Sequence, residues 1–312
     1  MIKLCRNLVL FLLLFVGVAI LVVLLPATPR WNDSLHYVQP DKDSLMANTP
    51  GPRLVLLGGS NVGMSFDSQM LKDSLGVNPI NGGLHGGFGL KFMLDNAAQY
   101  LRKGDVVVVM PEYEQYESNV FYGGKDLVDL LVDVSSEKIS LVNFRQAKHV
   151  LNFIPSYIKI KLLPSSYLYR RSSRPDAYLR SAYNDYGDAV AHWTDRESRT
   201  LVVEELKGMP EESVVVCVRE WMCIQSERGI RVYLSYPVCE KESYRELAGY
   251  IKALDCLLLS KGVSLLGRSG DFVMDASLFY DTNYHTTELG ARKRTAKLIS
   301  LLRAEIDYFG KE

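Results

Sequence analysis

Residues 53–60 read Arg-Leu-Val-Leu-Leu-Gly-Gly-Ser, and this short run decides the fold class. Four consecutive apolar side chains leave no polar face, as a strand covered on both sides of a parallel sheet requires. The two glycines let the backbone bend sharply, and Ser60 then stands where a helix can begin. Residues 66–75 carry Phe66, Met70, Leu71 and Leu75 at helical spacing, with Ser65 or Asp67 as the cap. A second short strand is predicted at 77–80, and a helix at 90–101 with Phe92, Met93, Ala97, Tyr100 and Leu101 on its apolar side. A third strand, Asp-Val-Val-Val-Val-Met, follows at 105–110. Strands alternating with helices at this spacing predict an α/β fold with a doubly wound, mostly parallel sheet.

Further along, the rhythm breaks. Residues 122–207 hold helical segments and a Tyr/Arg/Ser-rich stretch at 167–180 but no buried strand pattern, so an insertion or cap on the sheet is predicted there. The alternation resumes with a helix at 211–228, a strand at 231–236, a helix near 241–260 and a strand at 263–266. The last helix, 288–306, is expected to pack Leu289, Ala296, Ile299, Leu302 and Ile306.

Towards the N-terminus the reading changes character. Residues 8–25 contain no polar side chain, and such a run spans roughly 27 Å as a helix, close to the apolar thickness of a bilayer. Lys3 and Arg6 precede it, which predicts a cytoplasmic tail at 1–7 and a domain on the other side. A cleaved signal peptide is the competing reading, but the apolar run is long and ends in bulky Val23, Leu24 and Leu25, so an uncleaved anchor is favoured. Residues 26–52, rich in Pro, Asp, Asn and Ser, are read as a linker to a domain over 53–312. Lys+Arg and Asp+Glu are equal at 36 each, so no net field points to nucleic acid. Cys217, Cys223, Cys239 and Cys256 lack metal-site spacing and read as small buried residues, although a disulfide is permitted outside the cytoplasm.

Three segments hold residues of catalytic type where strands end, the place at which open parallel sheets collect ligands. Ser60, in Gly58-Gly59-Ser60-Asn61, either caps a helix or exposes its hydroxyl beside free N–H groups. The loop Asn81-Gly82-Gly83-Leu84-His85-Gly86-Gly87-Phe88-Gly89 has five glycines in nine residues. It is either a flexible turn or a frame that aims N–H groups inward, and it lacks the Lys of a phosphate loop. Asp281-Thr282-Asn283-Tyr284-His285 precedes the last helix. A His backed by a carboxylate is the pair that activates a hydroxyl, while the bland reading is a helix start with its cap.

The order of these segments resembles the SGNH (GDSL-like) hydrolase superfamily. "LVLLGGSNVGMSF" resembles its first block, "INGGLHGGFG" its second and "DTNYHTTELGARKRT" its last. "VVVVMPEYEQY" and "NDYGDAVAHW" resemble the membrane-anchored branch found in polysaccharide O-acetylation systems such as the alginate proteins. The resemblance implies Ser60 as nucleophile, His285 as base and Asp281 as orienter. The N–H groups of Ser60 and Gly86, or alternatively Gly83, would form the oxyanion hole. It also implies an acyl group, acetyl first, moved or removed on an extracytoplasmic glycan, on the periplasmic side of a bacterial inner membrane. A multi-span membrane acyltransferase would be the partner, with no cofactor and no metal. Asn61, Asn81, Glu112, Asn184, Asp188, His192 and Asn283 are candidates for touching substrate. Glu112 and Glu114 read equally as helix caps, Asn184 to Asp188 as plain turn chemistry, and the tyrosines as core and rim or as stacking platforms for sugars.

Two departures bear on this. The superfamily's third block offers an Asn to the oxyanion hole, whereas here the strand ends in Pro111-Glu112-Tyr113-Glu114. Its terminal block is usually Asp-x-x-His, whereas Asp281 stands one residue further from His285, with Asn283 as a weaker alternative orienter. These departures keep a second function open: a catalytically inactive glycan-binding or assembly subunit on the same fold.

Overall fold

A sheet of four parallel strands organises the chain. They are β1 (Arg53–Gly58), β2 (Asn78–Asn81), β3 (Val106–Met110) and β4 (Arg231–Leu234), in the spatial order β2-β1-β3-β4. Two further short strands, β5 (Cys239–Glu240) and β6 (Val273–Met274), pair apart from it. The structure is a computed structural model that describes residues 2–26, 34–167, 176–195, 201–203, 206 and 208–305. In chain order the helices are α1 (Ile2–Val23), α2 (Val38–Asn48), α3 (Ser60–Gly63), α4 (Ser68–Leu75), α5 (Leu90–Ala98), α6 (Ser118–Phe121) and α7 (Lys125–Asp133). They continue as α8 (Phe144–Val150), α9 (Ile154–Leu162), α10 (Glu212–Glu227), α11 (Lys241–Glu246), α12 (Ala248–Ser260) and α13 (Glu288–Glu305).

The apolar runs of β1 and β3 follow from what lies on each side of them. Val55, Leu57, Val107 and Val109 face a core filled by α5, α10 and α12. Leu54, Leu56, Val106, Val108 and Met110 face the opposite way, against Leu71 of α4 and Leu298, Ile299 and Leu302 of α13. Each such side chain, removed fully from water, contributes about 1.5–3 kcal/mol. At the amino ends of β1 and β3, Arg53 and Asp105 close a buried ion pair, with Nε 2.8 Å from Oδ1.

Several expectations need correction. Residues 38–48, read as part of a linker, form α2 with Val38, Gln39, Lys42, Asp43 and Met46 buried. The i, i+4, i+8 spacing is helical, but polar residues at the buried positions conceal its apolar period. Asp43 is satisfied by Gln39 and Asn96 at 2.6 Å each and by Lys138 at 2.8 Å. The strand expected at 263–266 shrinks to one bridge between Leu265 and Leu234. Gly262 and Gly267, at φ 63° and 82°, turn the backbone away on either side of it. On α13, Leu289 and Ala296 face solvent while Arg294, Thr295 and Leu298 are buried, and Ile306 lies outside the described residues. Cys223 and Cys256 are exposed rather than buried, and all the cysteines are free.

The described part of 122–207 adds no strand to the sheet; it supplies α7, α8, α9 and short 3-10 turns. The 22-residue α1 is long and apolar enough to cross a membrane, and only Val22 of it is buried. The helix already begins at Ile2 and takes in residues 2–7. Its far end meets α9, where Lys161 Nζ donates to Leu25 O at 2.8 Å and pairs with Asp133 at 2.8 Å.

Candidate active site

In the order β2-β1-β3-β4 the chain leaves β1 towards one edge and returns on the other side of it, so the connections diverge between β1 and β3. Ligands collect in the crevice that such a divergence leaves at the carboxyl ends of the strands. Ser60 follows β1 and Glu112 follows β3, and the two meet across this point. A cavity of about 420 Å³ opens above them, lined by Ser60, His85, Gly86, Glu112, Tyr178 and His285 among others.

Ser60 opens α3, and its Oγ lies 2.8 Å from Nε2 of His285. On the other side of the ring, Nδ1 of His285 lies 2.8 Å from Oδ1 of Asp281. The loop that carries both is fixed from within: Thr282 Oγ1 accepts the N–H groups of Tyr284 and His285 at 3.2 and 3.1 Å. Tyr280 N–H donates to His285 O at 2.8 Å, and Ser65 Oγ donates to Tyr284 O at 2.8 Å. The extra residue between Asp281 and His285 therefore does not separate them. Asp281, not Asn283, is the residue that His285 Nδ1 faces; Asn283 is fully buried and its amide finds no partner among the described residues.

Burial opposes the charge on Asp281, but the hydrogen bonds from His285 and Tyr178 outweigh it and hold the carboxyl below its ordinary range. Tyr178 has no counterpart in the sequence reading. Its OH donates to Asp281 Oδ2 at 2.5 Å and stands 3.2 Å from His285 Nδ1. It comes from the segment expected to cap the sheet, inside a stretch whose many tyrosines gave no reason to choose this one.

Glu112 is buried against Ser60. Its Oε1 lies 2.9 Å from Ser60 Oγ and accepts the N–H of Asn61 at 2.8 Å. A Cβ on Gly59 would overlap the Glu112 carboxyl, and one on Gly86 would stand 2.9 Å from Oε2. The glycines on either side are thus what leave room for this acid. Burial pushes its carboxyl up, and the hydrogen bonds from Asn61 and Ser60 and the nearby His285 offset this only in part.

The remaining candidates hold the frame rather than line the cavity. Asn61 is fully buried; it donates to Met110 O at 3.1 Å and accepts from Arg294 Nη2 at 2.9 Å. Asn81 Nδ2 donates to Val62 O and to Asp188 Oδ1 at 2.8 and 2.7 Å. Asn81 Oδ1 takes the N–H of Gly83 at 3.0 Å, so that N–H is spent, and of the two candidate glycines Gly86 is the one that lines the cavity with Ser60. Asn184 accepts the N–H groups of Tyr186 and Asp188 at 3.0 and 2.9 Å, the turn chemistry its sequence allows. Asp188 accepts from Ser68 Oγ at 2.7 Å, and burial raises its carboxyl. His192 Nε2 lies 2.8 Å from Thr286 O, and burial pulls its imidazole down to about 4.

One group of described residues has ligand atoms close enough for a metal ion, His36, Asp126 and Asp129, within 4.8 Å of one another. His36 and Asp126 pair at 3.5 Å, Lys125 neutralises Asp129, and none of the three lines the cavity over Ser60. No protein-family model and no curated protein matches the chain.

Proposed function

We propose that the chain is a membrane-anchored serine acyltransferase or esterase, with a doubly wound domain of the SGNH hydrolase type. Its substrates would be O-acyl groups, acetyl first, on a glycan outside the cytoplasm. The observation that carries this reading is the unbroken chain Asp281–His285–Ser60, with both links at 2.8 Å, on the floor of a cavity at the carboxyl ends of β1 and β3.

In this reaction Ser60 Oγ attacks the acyl carbonyl carbon while His285 Nε2 takes the hydroxyl proton. Asp281 holds the resulting imidazolium through Nδ1–H, and Tyr178 holds Asp281. The negative oxygen of the tetrahedral intermediate faces the N–H groups of Ser60 and Gly86. Collapse expels the donor hydroxyl, which takes its proton from His285 and leaves acyl-Ser60. A second hydroxyl, from water or from an acceptor sugar, then attacks the acyl-Ser60 carbonyl while His285 takes its proton, and collapse breaks the bond to Ser60 Oγ, which takes that proton back from His285.

Glu114 and Glu117 also line the cavity, and Tyr284 OH donates to Glu114 Oε2 at 2.9 Å. An acidic wall offers acceptors to sugar hydroxyls and repels phosphate or uronate groups, so it favours an uncharged glycan. Placement outside the cytoplasm rests on Lys3 and Arg6 ahead of the apolar run. The multi-span acyltransferase partner rests on the resemblance to the anchored branch.

Purified full-length protein in detergent should release acetate from p-nitrophenyl acetate and from acetylated neutral oligosaccharides, and Ser60→Ala should not. Turnover that survives Ser60→Ala, or none with any acyl ester, would overturn the reading.

A further inference from the structure

We propose that Glu112 takes part in the reaction as a carboxylic acid, its O–H donating first to Ser60 Oγ and then to the oxyanion that Ser60 creates. This rests on the reading of Ser60 as nucleophile.

The number of protons around Ser60 points to this role. Three heteroatoms lie in a row, Nε2 of His285, Oγ of Ser60 and Oε1 of Glu112, separated by 2.8 and 2.9 Å. The serine hydroxyl has one proton and can satisfy one of these links. With Nδ1–H of His285 directed to Asp281, Nε2 is an acceptor and the serine proton belongs to it. The contact between Oγ and Oε1 is then a hydrogen bond only if Glu112 supplies the proton from Oε1, whose lone pairs also take the N–H of Asn61. In the alternative arrangement Glu112 is charged, the serine proton turns to it and His285 carries both ring protons. Both arrangements contain the same number of protons, but only the first leaves a base ready to take the one on Ser60.

The surroundings of Glu112 favour the neutral acid. It is 3% exposed, and among the described residues no Lys or Arg forms an ion pair with it. Arg294, from α13, lies close enough to favour a charged Glu112, but its Nη1 and Nη2 hydrogen-bond Asn61 O and Oδ1 rather than the carboxyl. A buried carboxylate without a hydrogen-bonded cation is costly, and taking up a proton removes that cost. The other titratable or charged groups around the cavity are His285, Asp281 and Tyr284 on the terminal loop, His85 on the glycine loop, Tyr178 from the cap, and Glu114 and Glu117 after β3. Of these His285 favours a charged Glu112, and the neighbouring carboxylates oppose it.

As Oγ bonds to the acyl carbon it no longer needs the Glu112 proton, and the carboxyl reaches up to Gly86, whose N–H is one of the proposed oxyanion donors. A neutral acid there is the donor that an Asn amide would otherwise be, and an acid held neutral by burial can serve this purpose. Ester cleavage then needs His285 unprotonated and Glu112 protonated, which gives a bell-shaped dependence of kcat/KM on pH.

The test compares full-length wild type with Glu112→Gln, Glu112→Ala and Ser60→Ala, using p-nitrophenyl acetate across pH. Glu112→Gln keeps a donor that cannot titrate, so it should stay within about tenfold of wild type at the optimum and lose the alkaline fall. Glu112→Ala should lose about 10²–10³-fold in kcat at every pH. An alkaline fall retained in Glu112→Gln, a Gln variant as slow as the Ala variant, or an Ala variant within threefold of wild type would each overturn the assignment. If Ser60→Ala is inactive in the same series, such a result removes the role of Glu112 alone. Wild-type activity in Ser60→Ala would instead remove the reading on which it rests.

Discussion

Ser60 Oγ and His285 Nε2 are 225 residues apart in the chain and 2.8 Å apart in space. Nothing local brings them together. Ser60 is held by the end of β1, and His285 by a loop tied to Ser65 and to its own Thr282. A hydroxyl and an imidazole placed by independent elements, with a carboxylate behind the ring, satisfy the geometric requirements for an activated nucleophile.

The proposed function has the three groups acting as a unit, which fixes the pattern of mutant rates. Ser60→Ala and His285→Ala should each abolish ester turnover, and the double mutant should be hardly slower than either. Asp281→Asn should lower kcat by roughly 10³–10⁴-fold. Tyr178→Phe removes one hydrogen bond to Asp281 and should cost about tenfold, equivalent to about 1.4 kcal/mol. Steady-state rates on folded variants, checked by circular dichroism, measure all five.

Arg294 is fully buried under the turn at Ser60, where it bonds Asn61 O and Oδ1 and lies 4.3 Å from the centre of the Phe66 ring. Arg294→Met leaves those acceptors unpaired and should destabilise the domain by about 1–3 kcal/mol. Arg294→Lys should not restore it, because the planar fork is what reaches both oxygens. Thermal unfolding of the two variants checks this.

Lys42 donates to Gly187 O at 2.9 Å and to Gly83 O, and burial pulls its ammonium down to about 7. Its folded value lies below its unfolded one, so between about pH 7 and 10 the unfolded chain binds more protons. Stability owed to neutral Lys42 is present above the unfolded value and is lost as pH falls towards 7. Urea unfolding should show wild type gaining on Lys42→Met by on the order of 3 kcal/mol across that window. A constant difference would show that Lys42 keeps its charge state.

α1 predicts how the protein fractionates. The full chain should stay in the pellet when membranes are washed with alkaline carbonate, and a chain lacking residues 1–26 should be released. Recovery of the full chain in the supernatant would exclude a spanning helix.

The strands β1 and β3 and the residues at their ends were legible in the sequence. An apolar run of that length without a polar face fits a strand covered on both sides, and loops that bend at glycine announce themselves. Asp281 and His285 were legible as a pair even with an unusual spacing. The helix α2 was hidden because Gln39, Lys42 and Asp43 occupy buried positions, where only tertiary partners make them tolerable. Arg294 disguised the buried face of α13 in the same way. Tyr178 could not have been singled out, since its partners lie 103 and 107 residues away. Glu112 was visible as a missing Asn, but its contact with Ser60 emerges only when β1 and β3 become neighbours.

Whether Ser60 is a nucleophile decides the proposed function. A fluorophosphonate probe, followed by peptide mass spectrometry of the full-length protein, reads this without knowledge of the glycan. The prediction is a stoichiometric adduct on the peptide carrying Ser60, greatly slowed in His285→Ala and absent from Ser60→Ala. An unlabelled Ser60 in folded wild-type protein, or labelling as fast in His285→Ala as in wild type, would contradict it.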